Sequence, residues 1–369
     1  MTGDRAARAA LTRIAETGDE TMGRQIAAHG AEAVLAGIRA ATLEGVDERK
    51  AAAWRMRALA AGDPDDDLAR FRFVVPGDPD WPEQLDDLGD ARPTGLWVDG
   101  KGDLRRACAR SIALVGSRAA SAYGVNVASE LACRLSDRGY SVISGGAYGI
   151  DAAAHRGCLA GPSPTVAILA CGVDVSYPAA HQDLFAAIRE EGLVISESPP
   201  GVNPTRLRFL VRNRVIAALS RGTVVVQAAP RSGALNTAHH AFQLNRQLMA
   251  IPGPVTSDVS VGCNNLIRLG KAVCVTSADE ILEQVGQAGD DIAPIPRGPV
   301  TRRDLLSLES KRILDAMPGG LGVIGPSEVA LKAGLPLPVA LGCLGSLEAG
   351  GYLKREGNGW RLTARGRGR

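Results

Sequence analysis

Several features that would announce a function at once are missing from this sequence. Its seven cysteines (Cys108, Cys133, Cys158, Cys171, Cys263, Cys274 and Cys343) are odd in number, form no C-x-x-C pair and sit mostly in apolar runs. Reduced, buried thiols are expected, rather than disulfides or a zinc site. Charge of one sign is also lacking: the formal net charge is only +2 across 369 residues, so an anionic partner has to be held by locally clustered arginines. No segment approaches the roughly 18 to 20 apolar residues of a membrane span. No basic start followed by an apolar run marks a signal peptide. No membrane association and a cytoplasmic location are expected. A G-x-x-x-x-G-K-[ST] phosphate loop is absent, which disfavours a Walker-type nucleotide hydrolase. His239 and His240 are adjacent and so diverge by about 100° on a helix, whereas metal pairs sit at i, i+3 or i+4. No metal and no cofactor are expected.

What is present is an alternating rhythm. Residues 1–70 are Ala-rich with apolar positions at helical spacing, which reads as a small helical domain. The Pro-, Gly- and Asp-rich stretch "PGDPDWPEQLDDLGDARP" reads as a connector whose Trp81 and Leu85 pack onto the next domain. Apolar strand candidates then recur at 111–116, 140–145, 165–172, 192–198, 222–229, 247–253 and 272–277, with helical periodicity between them. Near-continuous apolar runs alternating with helices predict an α/β domain, a doubly wound Rossmann-like parallel sheet covered on both faces, over 71–287. A linker composition covers 288–304. Three short helices, a strand, a Gly-Asn-Gly turn and a second strand over 305–369 match a winged-helix-like domain. Its third helix, about 337–349, carries Glu348 and no Arg or Lys, which argues against major-groove reading by it.

In open α/β sheets ligands gather at the carboxyl ends of the strands. Gly116, Ser117 and Arg118 leave the first predicted strand as a backbone-amide, hydroxyl and guanidinium set suited to phosphate. "SGGAYGID" ends the second with Ser144, Gly145, Gly146 and Gly149, glycines that invite a close backbone approach, and Asp151, which either caps the next helix or orients Arg118. "NPTRLRFLVRNR" places Asn203 as a helix cap and Pro204 in the first turn, followed by Arg206, Arg208, Phe209, Arg212, Asn213 and Arg214. Arg208 and Arg212 share a face, while Arg214 lies roughly 200° around from Arg212, so some of these arginines are structural. Phe209 offers a ring on which a base can stack. Ser232, Gly233 and Thr237 open the helix after the fifth strand. His155 and His181 have no evident nucleophile and orienter with which to build a hydrolase.

Together, "VGSRAASAYG", "SGGAYGIDAAAH", "VAILACGVDVSYPAAHQDLF", "GLVISESPPG", "RFLVRNRVIAALS", "VVVQAAPRSGALNTA", "IPGPV" and "NNLIRLGKA" resemble the DNA-processing protein A (DprA/Smf) family, in its order, across about 110–285. The resemblance implies a non-enzymatic protein that binds single-stranded DNA without strong sequence preference, forms a homodimer and helps load the RecA recombinase during natural transformation. It implies that Gly116, Ser117, Arg118, Gly145, Gly146 and Arg206 to Arg214 line the binding site. The helical N-terminus looks like that family's optional domain of the SAM or helix-hairpin-helix kind. Tyr148, Leu210 and Gln227 depart from the basic residue, proline and glutamate the family often has there. Two enzyme readings stay open. One is a nucleotide-binding enzyme that releases a base from nucleoside monophosphates, using Asp151 or Glu197. The other is a dinucleotide-dependent oxidoreductase holding a ribose through Asp174, although Ser144 interrupts the glycine fingerprint.

Overall fold

A computed structural model describes residues 2–286, 291–294, 300–319 and 322–367. By compactness it divides into two units, Met1–Ala293 and Pro294–Arg369. The linker expected over 288–304 lies partly outside the described residues.

The first unit begins with α1 (Thr2–Ile14), α2 (Glu20–His29), α3 (Ala31–Ala40), α4 (Glu48–Ala60) and α5 (Asp65–Arg70). Leu11, Ile14, Met22, Val34, Ile38 and Trp54 close a core among these helices. Asp19 caps α2 by accepting the amides of Thr21 and Met22. Two short strands follow, β1 (Arg72–Val74) and β2 (Leu96–Asp99), joined through a 3-10 helix over Glu83–Ala91 that buries Leu85, with Trp81 just before it. Then come α6 (Leu104–Ala109), β3 (Ser111–Gly116), α7 (Ala122–Asp137), β4 (Ser141–Ser144), α8 (Ile150–Leu159), β5 (Thr165–Leu169), α9 (Gln182–Glu191) and β6 (Leu193–Ser196). The unit ends with α10 (Arg206–Leu219), β7 (Gly222–Gln227), α11 (Ala234–Gln243), β8 (Gln247–Ala250), α12 (Val261–Arg268), β9 (Val273–Cys274) and α13 (Ala278–Val285).

The nine strands form one sheet in the order β1-β2-β6-β5-β4-β3-β7-β8-β9. Strands β3 to β9 are mutually parallel and correspond to the seven predicted runs, while β1 and β2 add antiparallel pairs at one edge. Successive residues serve opposite faces, as strand geometry requires. In β3, Ala113 and Val115 pack with α10 and α11, and Ile112 and Leu114 pack with α7 and α8. Both faces of the sheet are therefore buried, and this is a doubly wound α/β fold. Strand order reverses at β3. The chain travels one way through β4, β5 and β6, and α10 carries it back to β7 on the other side of β3. The carboxyl ends of β3 and β7 thus flank the topological switch point, where open α/β sheets form a crevice.

The second unit consists of α14 (Leu308–Ala316), α15 (Pro326–Ala333), α16 (Leu337–Ala349) and the hairpin of β10 (Leu353–Glu356) with β11 (Gly359–Leu362). An isolated bridge joins Ile324 to Trp360. Ile313, Val329, Leu344, Leu347 and Trp360 form its core. Among the described residues no single helix is long and apolar enough to cross a membrane. The cysteines are unpaired; four are buried, but Cys274 is exposed on edge strand β9, contrary to the uniform burial expected.

Candidate functional site

A cleft of about 770 Å³ opens at the switch point. Its walls are the loop leaving β3, the first turns of α10 and the loop from β7 into α11. Gly116, Ser117 and Arg118 form one side, and Ser232, Gly233 and Thr237 form the opposite one. Arg206, Phe209, Arg212 and Asn213 come from α10, and Asp151 and Ala147 from the β4 side.

The local sequence explains these placements. Ser117 donates its backbone N–H to the Gln227 carbonyl at 2.7 Å, which ties the β3 loop to the end of β7. Gln227, buried, accepts the Ser121 backbone N–H at 3.0 Å and donates to the Ser121 hydroxyl at 2.8 Å. That hydroxyl in turn caps α7 through the Gly124 amide. Helix α10 begins two residues later than expected. Thr205, not Asn203, is the cap, and its hydroxyl accepts the Arg208 amide at 3.3 Å. The Asn203 carbonyl instead receives the Arg208 guanidinium at 2.9 Å.

Four of the expected positions belong to the protein's own packing. A Cβ on Gly145 would lie 2.6 Å from the Arg212 guanidinium nitrogens and 2.7 Å from the Asp151 carboxylate. One on Gly146 would meet the Phe185 ring at 2.7 Å, and one on Gly149 would fall against the Ser117 and Arg118 carbonyls. What comes close to this loop is therefore Arg212, Asp151, Phe185 and the neighbouring β3 loop. Ser144 is fully buried, its hydroxyl donating to the Leu114 carbonyl at 2.6 Å. None of these four residues lines the cleft.

The arginines divide in the same manner. Arg214 is buried, and its fork meets both oxygens of Glu197 at 2.7 Å. Arg208 donates to Glu16 of the N-terminal helices at 3.1 and 3.2 Å. Neither lines the cleft. Arg212 lines it but is largely buried, donating to the carbonyls of Gly145 and Ile168 and to Asn213. Burial pushes its guanidinium down to about 10, opposed by Asp151 and assisted by Arg118, which leaves it charged at neutral pH. Arg118 and Arg206 are exposed, and no carboxylate pairs with either among the described residues. Arg231, which the sequence reading passed over, is a third exposed, unpaired guanidinium on the cleft wall.

Asp151 is the only acidic residue on the cleft wall. Gly149, not Asp151, is the cap residue of α8; the Asp151 carboxylate accepts the Ala147 N–H at 3.3 Å and feels the charges of Arg212 and Arg118. Burial raises its pKa, against the lowering influence of Arg212. Phe209 carries the Arg118 guanidinium over its ring at 4.7 Å, and Tyr177, also missed in the sequence, stands 5.6 Å away. Of the carboxylates of the enzyme readings, Asp151 is on the cleft wall, while Glu197 and Asp174 do not line it. Glu197 is held by Arg214, and Asp174 accepts the Gly201 amide at 2.8 Å. Among the described residues no group of three His, Cys, Asp or Glu could hold a metal ion.

The arrangement can neutralise a phosphate chain and stack a base. It offers three guanidinium groups without carboxylate partners among the described residues, a helix start and two aromatic rings, Phe209 and Tyr177.

Comparison with known proteins points the same way. The family model of DNA recombination-mediator protein A matches residues 72–286. A DNA processing protein DprA of Mycobacterium tuberculosis is 44% identical over 307 residues, 80% of this chain and 78% of that one. The Escherichia coli protein Smf is 34% identical over 78% of this chain and 76% of its own length. The X-ray structure of DNA processing protein A from Streptococcus pneumoniae superposes with a TM-score of 0.66 at 29% identity, covering 78% of this chain and 99% of that one. The Helicobacter pylori DNA processing protein A, whose structure describes a single-stranded DNA binding mode, matches with a TM-score of 0.52 at 27% identity over 58% and 96%.

Proposed function

The chain belongs to the DNA recombination-mediator protein A family, and on that premise we propose that it binds single-stranded DNA, with little sequence preference, in the cleft between the β3 and β7 loops. The observation that carries this is the set of exposed guanidinium groups of Arg118, Arg206 and Arg231, without carboxylate partners among the described residues, around a wall lined by one buried acidic residue, Asp151. Phosphates bind such a rim irrespective of sequence, and Phe209 takes a base by its face, which every base has. In this reading the role is binding without catalysis. The protein acts as a cytoplasmic homodimer, and the strand it holds is handed to a RecA recombinase during transformation. The second unit, with three helices and a hairpin, is a winged-helix-like module whose α16 lacks Arg and Lys.

The test is a salt titration of a labelled homopolymeric single strand. Affinity falls steeply with ionic strength, and Arg118→Ala weakens binding and flattens the log–log slope by roughly 0.7, the value for one phosphate contact on a single strand. Binding that is indifferent to salt refutes the reading. Stimulation of RecA filament formation on strands coated with a single-strand-binding protein tests the hand-over separately.

A further inference from the structure

Beside the cleft two tyrosines are half exposed and yet held by other rings. Tyr177, in the loop between β5 and α9, is 46% exposed and lies 5.6 Å from Phe209 at an interplanar angle of 49°. Tyr148, in the loop between β4 and α8, is 48% exposed and stands edge-on to His181 at 4.8 Å and 68°. His181 is itself fixed, with its Nδ1 3.0 Å from the Gly146 carbonyl oxygen and its ring 6.3 Å from that of Phe185. Among the described residues neither phenolic oxygen has a hydrogen-bond partner, and both rings are half exposed. Both rings are thus positioned by neighbours while contributing little to a core.

Their location gives them a direction. Ala147, adjacent to Tyr148, and Tyr177 itself line the cleft. The loops that carry the tyrosines leave β4 and β5, the next strands after β3 on one side of the sheet. Positioned, half-exposed aromatic rings beside a basic cleft are the parts on which successive bases stack. We infer that Tyr148 and Tyr177 form a second nucleobase-stacking stretch, which carries a single strand out of the cleft and across the ends of β4 and β5. This rests on the cleft being the single-strand site.

The experiment compares two ligands on the full chain: oligothymidylate and an abasic oligomer of equal length. Tyr148→Ala and Tyr177→Ala each lower oligothymidylate affinity roughly five- to a hundredfold and leave abasic affinity unchanged, whereas the phenylalanine variants bind as the parent does. Arg118→Ala lowers affinity for both ligands. Unchanged oligothymidylate binding in both alanine variants, with Arg118→Ala still impaired, overturns the second stretch and leaves the cleft standing. Equal losses on both ligands also overturn it, because the rings then shape a loop or meet another class of partner instead of taking bases. If Arg118→Ala is silent on both, the cleft reading itself has failed.

Discussion

Arg214 has five N–H donors, and five short contacts use them: two to Glu197, two to the Ala91 carbonyl and one to the Val211 carbonyl. A guanidinium so saturated holds the protein together and has no donor left for a phosphate. Arg214→Met leaves Glu197 buried without its counter-charge and costs about 3–5 kcal/mol. A lower urea midpoint shows this, and an unchanged midpoint removes the structural role. Arg118, exposed on the cleft wall, is the opposite case: on the proposed reading its loss lowers strand affinity and leaves the urea midpoint unchanged. His155 makes the fold sensitive to acid. Thr165 spends its one hydroxyl proton on the Val142 carbonyl and so accepts from His155 Nδ1 at 2.7 Å, which leaves Nε2 buried and without a partner. A proton added at Nε2 has nothing to donate to. Burial, followed by the charge of Arg212, accordingly pushes the His155 pKa down to about 3 from 6.5. Below pH 6.5 the unfolded chain takes up this proton and the folded chain does not. The stability present above pH 6.5 is therefore lost as pH falls toward 3, with a limiting slope of about 1.4 kcal/mol per pH unit. Asp151, its pKa raised, acts with the opposite sign near pH 4 and above. Urea midpoints of His155→Leu, measured between pH 6.5 and 4.5, should fall less steeply than the parent's; parallel curves would show that His155 is not the group responsible.

Glycines show how an element's role can hide in its sequence. Gly149 has φ +76° and its missing Cβ leaves room for the Ser117 and Arg118 carbonyls, whereas Gly233 has no atom within 4 Å of where a Cβ would stand. Gly149→Ala therefore combines a positive-φ conformation that L residues rarely adopt, costing about 1–3 kcal/mol, with a clash against backbone, and lowers the melting temperature. Gly233→Ala, at φ −60° beside the α11 start, leaves stability unchanged or raises it by about 0.4–1 kcal/mol. It nonetheless weakens strand binding if backbone phosphates approach that wall. Equal behaviour of the two variants in a melt and a binding titration would deny the distinction. Sequence alone could not separate these glycines, because Arg212, Phe185 and the Ser117 carbonyl, which decide the matter at the β4 loop, lie tens of residues away along the chain. The parallel strands were legible for a local reason: burial on both faces leaves runs such as Ile112–Val115 with no polar interruption. Strands β1 and β2 were not, being three and four residues long and separated by Pro-, Gly- and Asp-rich chain. Arg231 and Tyr177 were overlooked because each is a single residue in a loop, and only the topology brings those loops to one cleft.

Across the first unit, the N-terminal helices are tied to the sheet by one apolar insertion and several polar contacts. Ala9 of α1 enters the core formed by Phe73 and Trp97, and the Trp97 indole donates to Thr12 at 3.4 Å. Arg5 pairs with Asp78 and donates to the Phe73 carbonyl, Arg8 donates to the Thr94 carbonyl, and Arg24 pairs with Asp90 at 3.2 Å. Glu16 lies between Arg57 of α4 and Arg208 of α10, at 3.3 and 3.1 Å, so that one carboxylate connects the helices to the element that carries Phe209. Exposed pairs of this kind contribute little singly, but removing the helices would uncover Trp97 and Phe73 as well, and an aromatic side chain stripped of its cover loses about 1.5–3 kcal/mol. A chain that begins at Phe71 is therefore expected to melt well below the full chain, or to aggregate, even though the family match starts at residue 72. Glu16→Gln, which keeps the apolar cover and removes one charge, should leave the melting temperature nearly unchanged. It also removes the ion pair that neutralises Arg208 on α10, so on the proposed reading oligothymidylate affinity should rise and its salt dependence steepen by roughly 0.7 in log–log slope. A shortened chain as stable as the parent would mean that the helices are an appendage, and an unaltered salt slope in Glu16→Gln would mean that Arg208 is too far from the strand to reach it.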